Sequence, residues 1–286
     1  MTQTELWDAA KVSLWPRPGV SGATLLTVLR QVHSAALNIH AGTNGTSELI
    51  SSYLRWASKA QGQLRLVMRP HDIDRLVLTS RYWATLANPA PSAAVVAAVN
   101  DEIMARQRDL DGAIHDLQQQ LDRWKPHTGA ETYMVVPDTN VLLHHPQMLT
   151  TIDWRDVIGR PNLVMDYVRV VLPLLVIDEL DDAKHDKVRS RARQTLKAIY
   201  THLGSAPAVR YALQAAGPMV GEVTMEILLD DPEHVRLGRT DDELVDRAVA
   251  LQGLTGLLVD FVTFDTGAAL RARAAGLRAH RLEHTQ

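Results

Sequence analysis

Tyr133-Met134-Val135-Val136-Pro137-Asp138-Thr139-Asn140 is the stretch on which the fold turns: four apolar residues run without a break into a proline and then a carboxylate. A short, uninterrupted apolar run bounded by turn residues reads as a strand buried on both faces, the kind found in parallel sheets covered by helices. The same rhythm recurs at Val168–Leu172, Val223–Leu228, Leu257–Phe264 and Leu277–Arg281. Helical patterns separate these runs at about residues 174–203, 241–251 and 266–275. Alternating strands and amphipathic helices predict an α/β domain with a central parallel sheet.

In such sheets ligands sit beyond the carboxyl ends of the strands, and here those ends are acidic. The first strand runs into Asp138, the second is followed by Glu179 in Leu174-Leu-Val-Ile-Asp-Glu-Leu-Asp181, the helix near 241 opens with Asp241-Asp242-Glu243, and the fourth run ends in Asp265. Taken singly, each acid has a plain structural reading. Asp138 and Asp265 suit N-caps, and the acids at 179 and 241–243 suit early helical turns, where they complement the helix dipole. Taken together they converge on one edge of one sheet. Two carboxylates about 4 Å apart repel by roughly 4 kcal/mol at an effective dielectric near 20. A divalent cation relieves that repulsion, and hard oxygen ligands without a histidine pair favour Mg²⁺ or Mn²⁺ over zinc.

The first 125 residues have another texture. Leu25, Leu29, Val32, Ala36 and Ile39 fall at helical spacing, as do Leu49, Tyr53, Trp56 and Ala60. The pattern continues over 71–86 and over 100–124, where Ile103, Leu110, Ile114, Leu117 and Leu121 form a stripe. Trp7, Trp15, Tyr53, Trp56, Tyr82, Trp83 and Trp124 read as packing anchors, and His33 and His40 as ordinary helix residues. Lys125-Pro-His-Thr-Gly-Ala-Glu131 reads as a boundary, which divides the chain into an all-helical N-terminal domain over 1–128 and an α/β domain over 132–286.

The whole sequence of 286 residues is 46% hydrophobic and holds 30 basic against 33 acidic residues, which excludes wholesale disorder and a whole-protein electrostatic grip on nucleic acid. It contains no cysteine, which excludes disulfides, thiolate metal sites and cysteine nucleophiles. No apolar stretch is long enough for a membrane helix and the first residues are polar and acidic, so the expectation is a soluble cytoplasmic protein without a membrane partner.

The segments PDTNVLL (137–143), VIDELDDAK (176–184), TDDELVDRA (240–248) and VTFDTGAALRARA (262–274) resemble, in order and spacing, the successive motifs of PIN-domain nucleases. The larger PIN domains, in which an E-L-D motif opens a long basic helix, are the most similar. The resemblance spans about residues 132–283 and leaves the helical half unexplained. It implies a three-layer α/β/α domain and a metal-dependent endonuclease, usually acting on single-stranded or structured RNA.

Carried over residue by residue, the resemblance makes Asp138 the first metal-binding and catalytic acid, with Asn140 as its polar partner. Glu179 becomes the second acid, Asp242 the third and Asp265 the fourth, and Thr263 takes the hydroxyl position before the last. Asp241 could replace Asp242 by a one-residue shift. Asp246, where small residues are commoner, is either an additional ligand or an exposed helix residue. One or two Mg²⁺ or Mn²⁺ ions on these acids would activate water and leave a 5′-phosphate and a 3′-hydroxyl. The helix after Glu179 carries His185, Arg189, Arg193 and Lys197 in one stripe, either a solvated face or a phosphate track. Arg189 and Arg193 match basic positions of the larger PIN domains, and Arg271 and Arg273 are further cations near Asp265.

The implied role is a toxin-like or RNA-processing ribonuclease, with a homo-oligomer or an inhibitor protein as further partners. Two readings compete with it: a flap-type DNA nuclease, and an inactive PIN-like scaffold that binds RNA or protein. A phosphoacceptor receiver domain would need an acidic pair after its first strand and a lysine after its last, and neither is present.

Overall fold

The computed structural model describes residues 14–39, 46–90, 92–161, 165–185, 188–203, 210–217, 220–230 and 234–283. Trp7 and His40 lie outside them. The chain forms two compact units, Met1–Lys125 with Gly253–Gly256, and Pro126–Gln252 with Leu257–Gln286.

The first unit is helical: α1 (Gly22–Leu37), α2 (Thr46–Leu64), α3 (Pro70–Leu76), α4 (Ser80–Ala87) and α5 (Ala93–Trp124). Hydroxyl caps fix three of the starts. Ser21, Thr79 and Ser92 accept the N–H groups of Thr24, Tyr82 and Val95, which satisfies donors that a helix start otherwise leaves open. Thr79 explains why the helical pattern over 71–86 is two helices, because its cap begins a new one after Val77 leaves helical geometry. Leu25, Leu29, Val32 and Ala36 of α1 and Leu49, Tyr53, Trp56 and Ala60 of α2 are buried, and Trp56 donates its indole N–H to the Val32 carbonyl at 3.2 Å. Ile39 falls just past the end of α1. Trp15, Tyr82 and Trp124 are buried as expected of anchors, whereas Trp83 is 54% exposed.

The second unit is built on a six-stranded sheet among the described residues, ordered β3-β4-β2-β1-β5-β6. The strands are β1 (Thr132–Pro137), β2 (Tyr167–Pro173), β3 (Tyr211–Gln214), β4 (Val223–Leu228), β5 (Val259–Thr263) and β6 (Arg278–Arg281). All neighbours pair in parallel except β3, which runs antiparallel to β4 at the edge. That strand was not expected: Tyr-Ala-Leu-Gln is short and only half-buried, so it carries neither the apolar run nor a clear alternation. The inner strands β1, β2, β4 and β5 are buried almost throughout, because flanking helices cover both faces.

Those helices are α6 (Thr139–His144), α7 (Trp154–Val157), α8 (Leu174–Asp182), α9 (Arg189–Leu203), α10 (Thr240–Thr255) and α11 (Thr266–Ala274). The single helix expected over 174–203 is thus divided. The Ala183 N–H bonds to both Glu179 and Asp181 carbonyls, which tightens the chain into a 3-10 turn over Ala183–His185 before α9. The architecture is otherwise the expected α/β layering with a helical N-terminal region. Among the described residues no helix is long and apolar enough to cross a membrane.

From β1 the chain moves outward to β2 and β4, then returns to the other side of β1 as β5 and β6. The order reverses between β1 and β5, and open α/β sheets take their ligands in the crevice beyond the carboxyl ends at such a point. Pro137 pairs with Val262, so the next residues, Asp138 and Thr263, stand opposite each other at that crevice.

Candidate metal centre

Asp138 leaves β1 as the N-cap of α6 and is 5% exposed. Its own N–H donates to the Val262 carbonyl at 2.8 Å, which ties it to β5. Its Oδ1 accepts the Asn140 N–H at 3.4 Å and its Oδ2 accepts the Thr263 hydroxyl at 2.7 Å. Burial raises its pKa above the ordinary carboxylate value, and the like charge of Asp241 adds to the rise. The bonds from Thr263 and Asn140 pull the other way.

Glu179 projects from α8, half-buried, and accepts the hydroxyl of Thr139 on Oε2. Burial again raises its pKa, followed by the charges of Asp138, Asp241 and Asp182. The charge of Asp138 therefore acts on Glu179, and of the α10 acids it is Asp241 that acts on both. Asp242, the expected third acid, lies one residue around the helix, 3.1 Å from Arg271 Nε and 3.9 Å from Arg239 Nε. Asp241 is paired with the same arginine through Nη2.

Asp265 is exposed and caps α11, accepting the Ala268 N–H on Oδ1 at 2.6 Å. Its N–H donates to the Thr263 Oγ1 at 2.9 Å, so one hydroxyl links the first and fourth acids. Thr263 itself is fully buried. The hydroxyl expected before the last acid is thus sealed from solvent and bonded on both sides, to Asp138 and to the Asp265 N–H. Asn140 is exposed beside Asp138. Asp246 is partly exposed and pairs with the buried Arg247.

Arg189, Arg193 and Lys197 are exposed along α9, and among the described residues none has an ion-pair partner. The side chain of His185 lies outside the described residues. Arg191, on another face, is a clamp: its guanidinium donates to the carbonyls of Leu142 at 3.0 Å, His145 at 2.8 Å and Gln147. Arg273 likewise donates to the Ala279 carbonyl at 3.2 Å.

A second group, Asp230, His234 and Glu243, offers ligand atoms within 4.8 Å of one another. Its members are already engaged. Glu243 is met by His234 at 2.6 Å, by the Leu237 N–H at 2.8 Å and by Arg247 Nε at 3.3 Å. Arg236 joins Asp230 at 2.8 Å to Asp178 of α8 at 2.7 Å. This charge network ties the segment before α10 to the helix that carries Glu179.

The donor set at the strand ends suits a hard divalent cation. Asp138 and Glu179 present only carboxylate oxygens, carry pKa values raised first by burial and then by neighbouring carboxylates, and receive only neutral donors among the described residues. A cation there would offset what the hydroxyls do not. Sequence reasoning missed the Thr139 hydroxyl, left Asp241 open as the alternative to Asp242, and named Arg271 only as a further cation near Asp265. Thr139 sits inside the D-T-N triplet and was visible as a hydroxyl beside an acid. The turn of Asp241 toward the site was open by one residue, which spacing alone cannot resolve on a helix. The reach of Arg271 across to α10 left no sequence signal.

A family model described as PIN domain matches residues 135–283. No curated protein matches the chain. Among solved structures, a domain of a functionally unknown protein from Methanocaldococcus jannaschii DSM 2661 is similar at 15% identity, covering 54% of this chain and 94% of that one, with a TM-score of 0.32.

Proposed function

We propose, for a chain that belongs to the PIN-domain family, that its metal-dependent nuclease fold is active as an endoribonuclease and leaves a 5′-phosphate and a 3′-hydroxyl. The observation that carries this reading is that Asp138 leaves β1 beside β5 and the next residue, Thr139, bonds Glu179 of α8 through its hydroxyl, while the charge of Asp241 raises the pKa of both acids. Asp138, Glu179 and Asp265 would hold Mg²⁺ or Mn²⁺, and of the α10 pair Asp241 is the one whose charge acts on Asp138 and Glu179. A bound ion of this kind polarises a phosphodiester and lowers the pKa of a coordinated water.

The chain's own residues supply the rest. Thr263 and Thr139 hold Asp138 and Glu179 in place through their hydroxyls. The α11 N-terminus beyond Asp265 and the exposed Asn140 line the entrance, where a phosphate finds N–H donors. Arg189 and Arg193, with Lys197, offer cations that a polyanion needs beside an acidic crevice. The helical unit would recognise substrate, dimerise or gate the nuclease.

The pairing of Arg271 with Asp241 and Asp242 favours a second reading, an inactive scaffold whose acids are neutralised internally. Labelled single-stranded RNA and DNA of matched sequence, incubated with protein and Mn²⁺ or EDTA, separate the two. The nuclease reading expects Mn²⁺-dependent RNA cleavage lost in Asp138→Asn and in Asp265→Asn. Cleavage that survives both substitutions overturns the site, preferential DNA cleavage overturns the substrate, and inertness toward both polymers supports the scaffold.

A further inference from the structure

Arg271 lies on α11 six residues after Asp265, and its guanidinium spans the acids of α10. Nη2 donates to Asp241 Oδ2, and Nε lies 3.1 Å from Asp242 Oδ1. Nη1 and a carboxylate oxygen of the fourth acid both border Gly267. A methyl group placed on Gly267 would stand 3.2 Å from Arg271 Nη1 and 3.1 Å from Asp265 Oδ1, so the absence of a side chain at 267 leaves the guanidinium its place there.

The acids therefore fall into two sets. Asp241 and Asp242 share one fixed positive charge. Asp138 and Glu179 receive hydroxyl and amide donors, and among the described residues no lysine or arginine pairs with either. A second divalent ion between α10 and α11 would meet both the guanidinium and carboxylates already engaged with it. An ion beside Asp138 and Glu179 meets neither obstacle. A guanidinium also suits the task of a second cation: it is planar, permanently charged, and offers several N–H groups to carboxylate and phosphate together. The Arg271 side chain is 31% exposed, so part of it faces the solvent from which a substrate would come.

We propose that Arg271 holds the position of a second cation, so that this centre takes one divalent ion on the Asp138–Glu179 side and presents the guanidinium as its other positive charge toward a substrate phosphate. The inference rests on the reading of the strand-end acids as a metal centre. It makes Arg271 part of the site, where the basic stripe of α9 serves only to hold the polymer.

Titration of the full chain with Mn²⁺, counting free ion by electron paramagnetic resonance, tests it without any nuclease assay. The variants are Asp138→Asn, Arg271→Ala, Arg271→Met, which keeps an apolar stem, and Arg271→Lys, with thermal melts to confirm folding. The expected result is one ion per wild-type chain, lost in D138N, a second ion gained in both R271A and R271M, and one ion again in R271K. Two ions in the wild type, or one ion at unchanged affinity in both R271A and R271M, overturn the role of Arg271 while the D138N-sensitive ion leaves the metal centre standing. No bound ion in the wild type overturns the metal centre and this inference with it.

Discussion

Thr263 at the end of β5 donates its hydroxyl to Asp138 Oδ2 at 2.7 Å and accepts the Asp265 N–H at 2.9 Å, so one buried side chain aligns two acids from opposite sides of the crevice. The register of β1 against β5 makes this possible, since Pro137 and Val262 are paired neighbours. A valine at 263 keeps the shape and removes the hydroxyl. It leaves a buried carboxylate short of a donor and an N–H short of an acceptor, which costs about 1–3 kcal/mol. Thr263→Val is expected to lower stability by that amount and Mn²⁺ affinity about 10–100-fold, with Thr263→Ser near wild type in a calorimetric titration. Unchanged affinity in the valine variant removes Thr263 from the site.

The raised carboxyls of Asp138 and Glu179 fix how stability depends on pH. An acid whose pKa is higher in the folded than in the unfolded chain binds more protons when folded. Ion-free protein therefore loses stability as pH rises from the ordinary carboxylate range through the raised values, and above them the loss is complete. Melting scans in EDTA between about pH 4 and pH 7 are expected to show a decline that is shallower in Glu179→Gln. Saturating Mn²⁺ should flatten the wild-type curve, because the cation replaces the protons. Parallel curves for wild type and E179Q in EDTA would contradict this.

The arginines of α9 divide by what they touch. Arg189 and Arg193 are exposed, so Arg189→Ala and Arg193→Ala should raise KM for RNA with kcat unchanged, and each should lower the salt dependence of RNA binding by about 0.7 in log–log slope. Arg191 bonds three carbonyls at the end of α6, so Arg191→Ala should lower the melting temperature and leave the salt slope in place. Filter binding across a salt series, beside melts of the same variants, checks both. A salt slope altered by R191A alone reverses the assignment.

The parallel strands were legible because burial on both faces leaves one mark, an unbroken apolar run, as at Tyr133–Val136 and Val168–Leu172. Asp138 and Asp265 were legible because each directly follows such a run, and its role as N-cap holds the carboxylate at the sheet edge. The acid of α10 was not fixed by sequence. Neighbouring helix positions differ by about 100° around the axis, and the charge network at Glu243, not local spacing, sets how that helix is turned. Arg271 shows the same limit. Its pairing depends on how two helix starts face each other across the sheet edge, a relationship with no period in the chain. The edge strand β3 escaped because one paired side and partial burial impose little on four residues.

The central claim is that carboxylates from separate elements hold one hard cation at the ends of β1 and β5. Anomalous scattering from crystals grown with Mn²⁺ tests it most directly. The account predicts a peak about 2.1 Å from carboxylate oxygens of both Asp138 and Glu179, absent in Asp138→Asn. A peak seated instead at Asp230, His234 and Glu243, with none between Asp138 and Glu179, would contradict it.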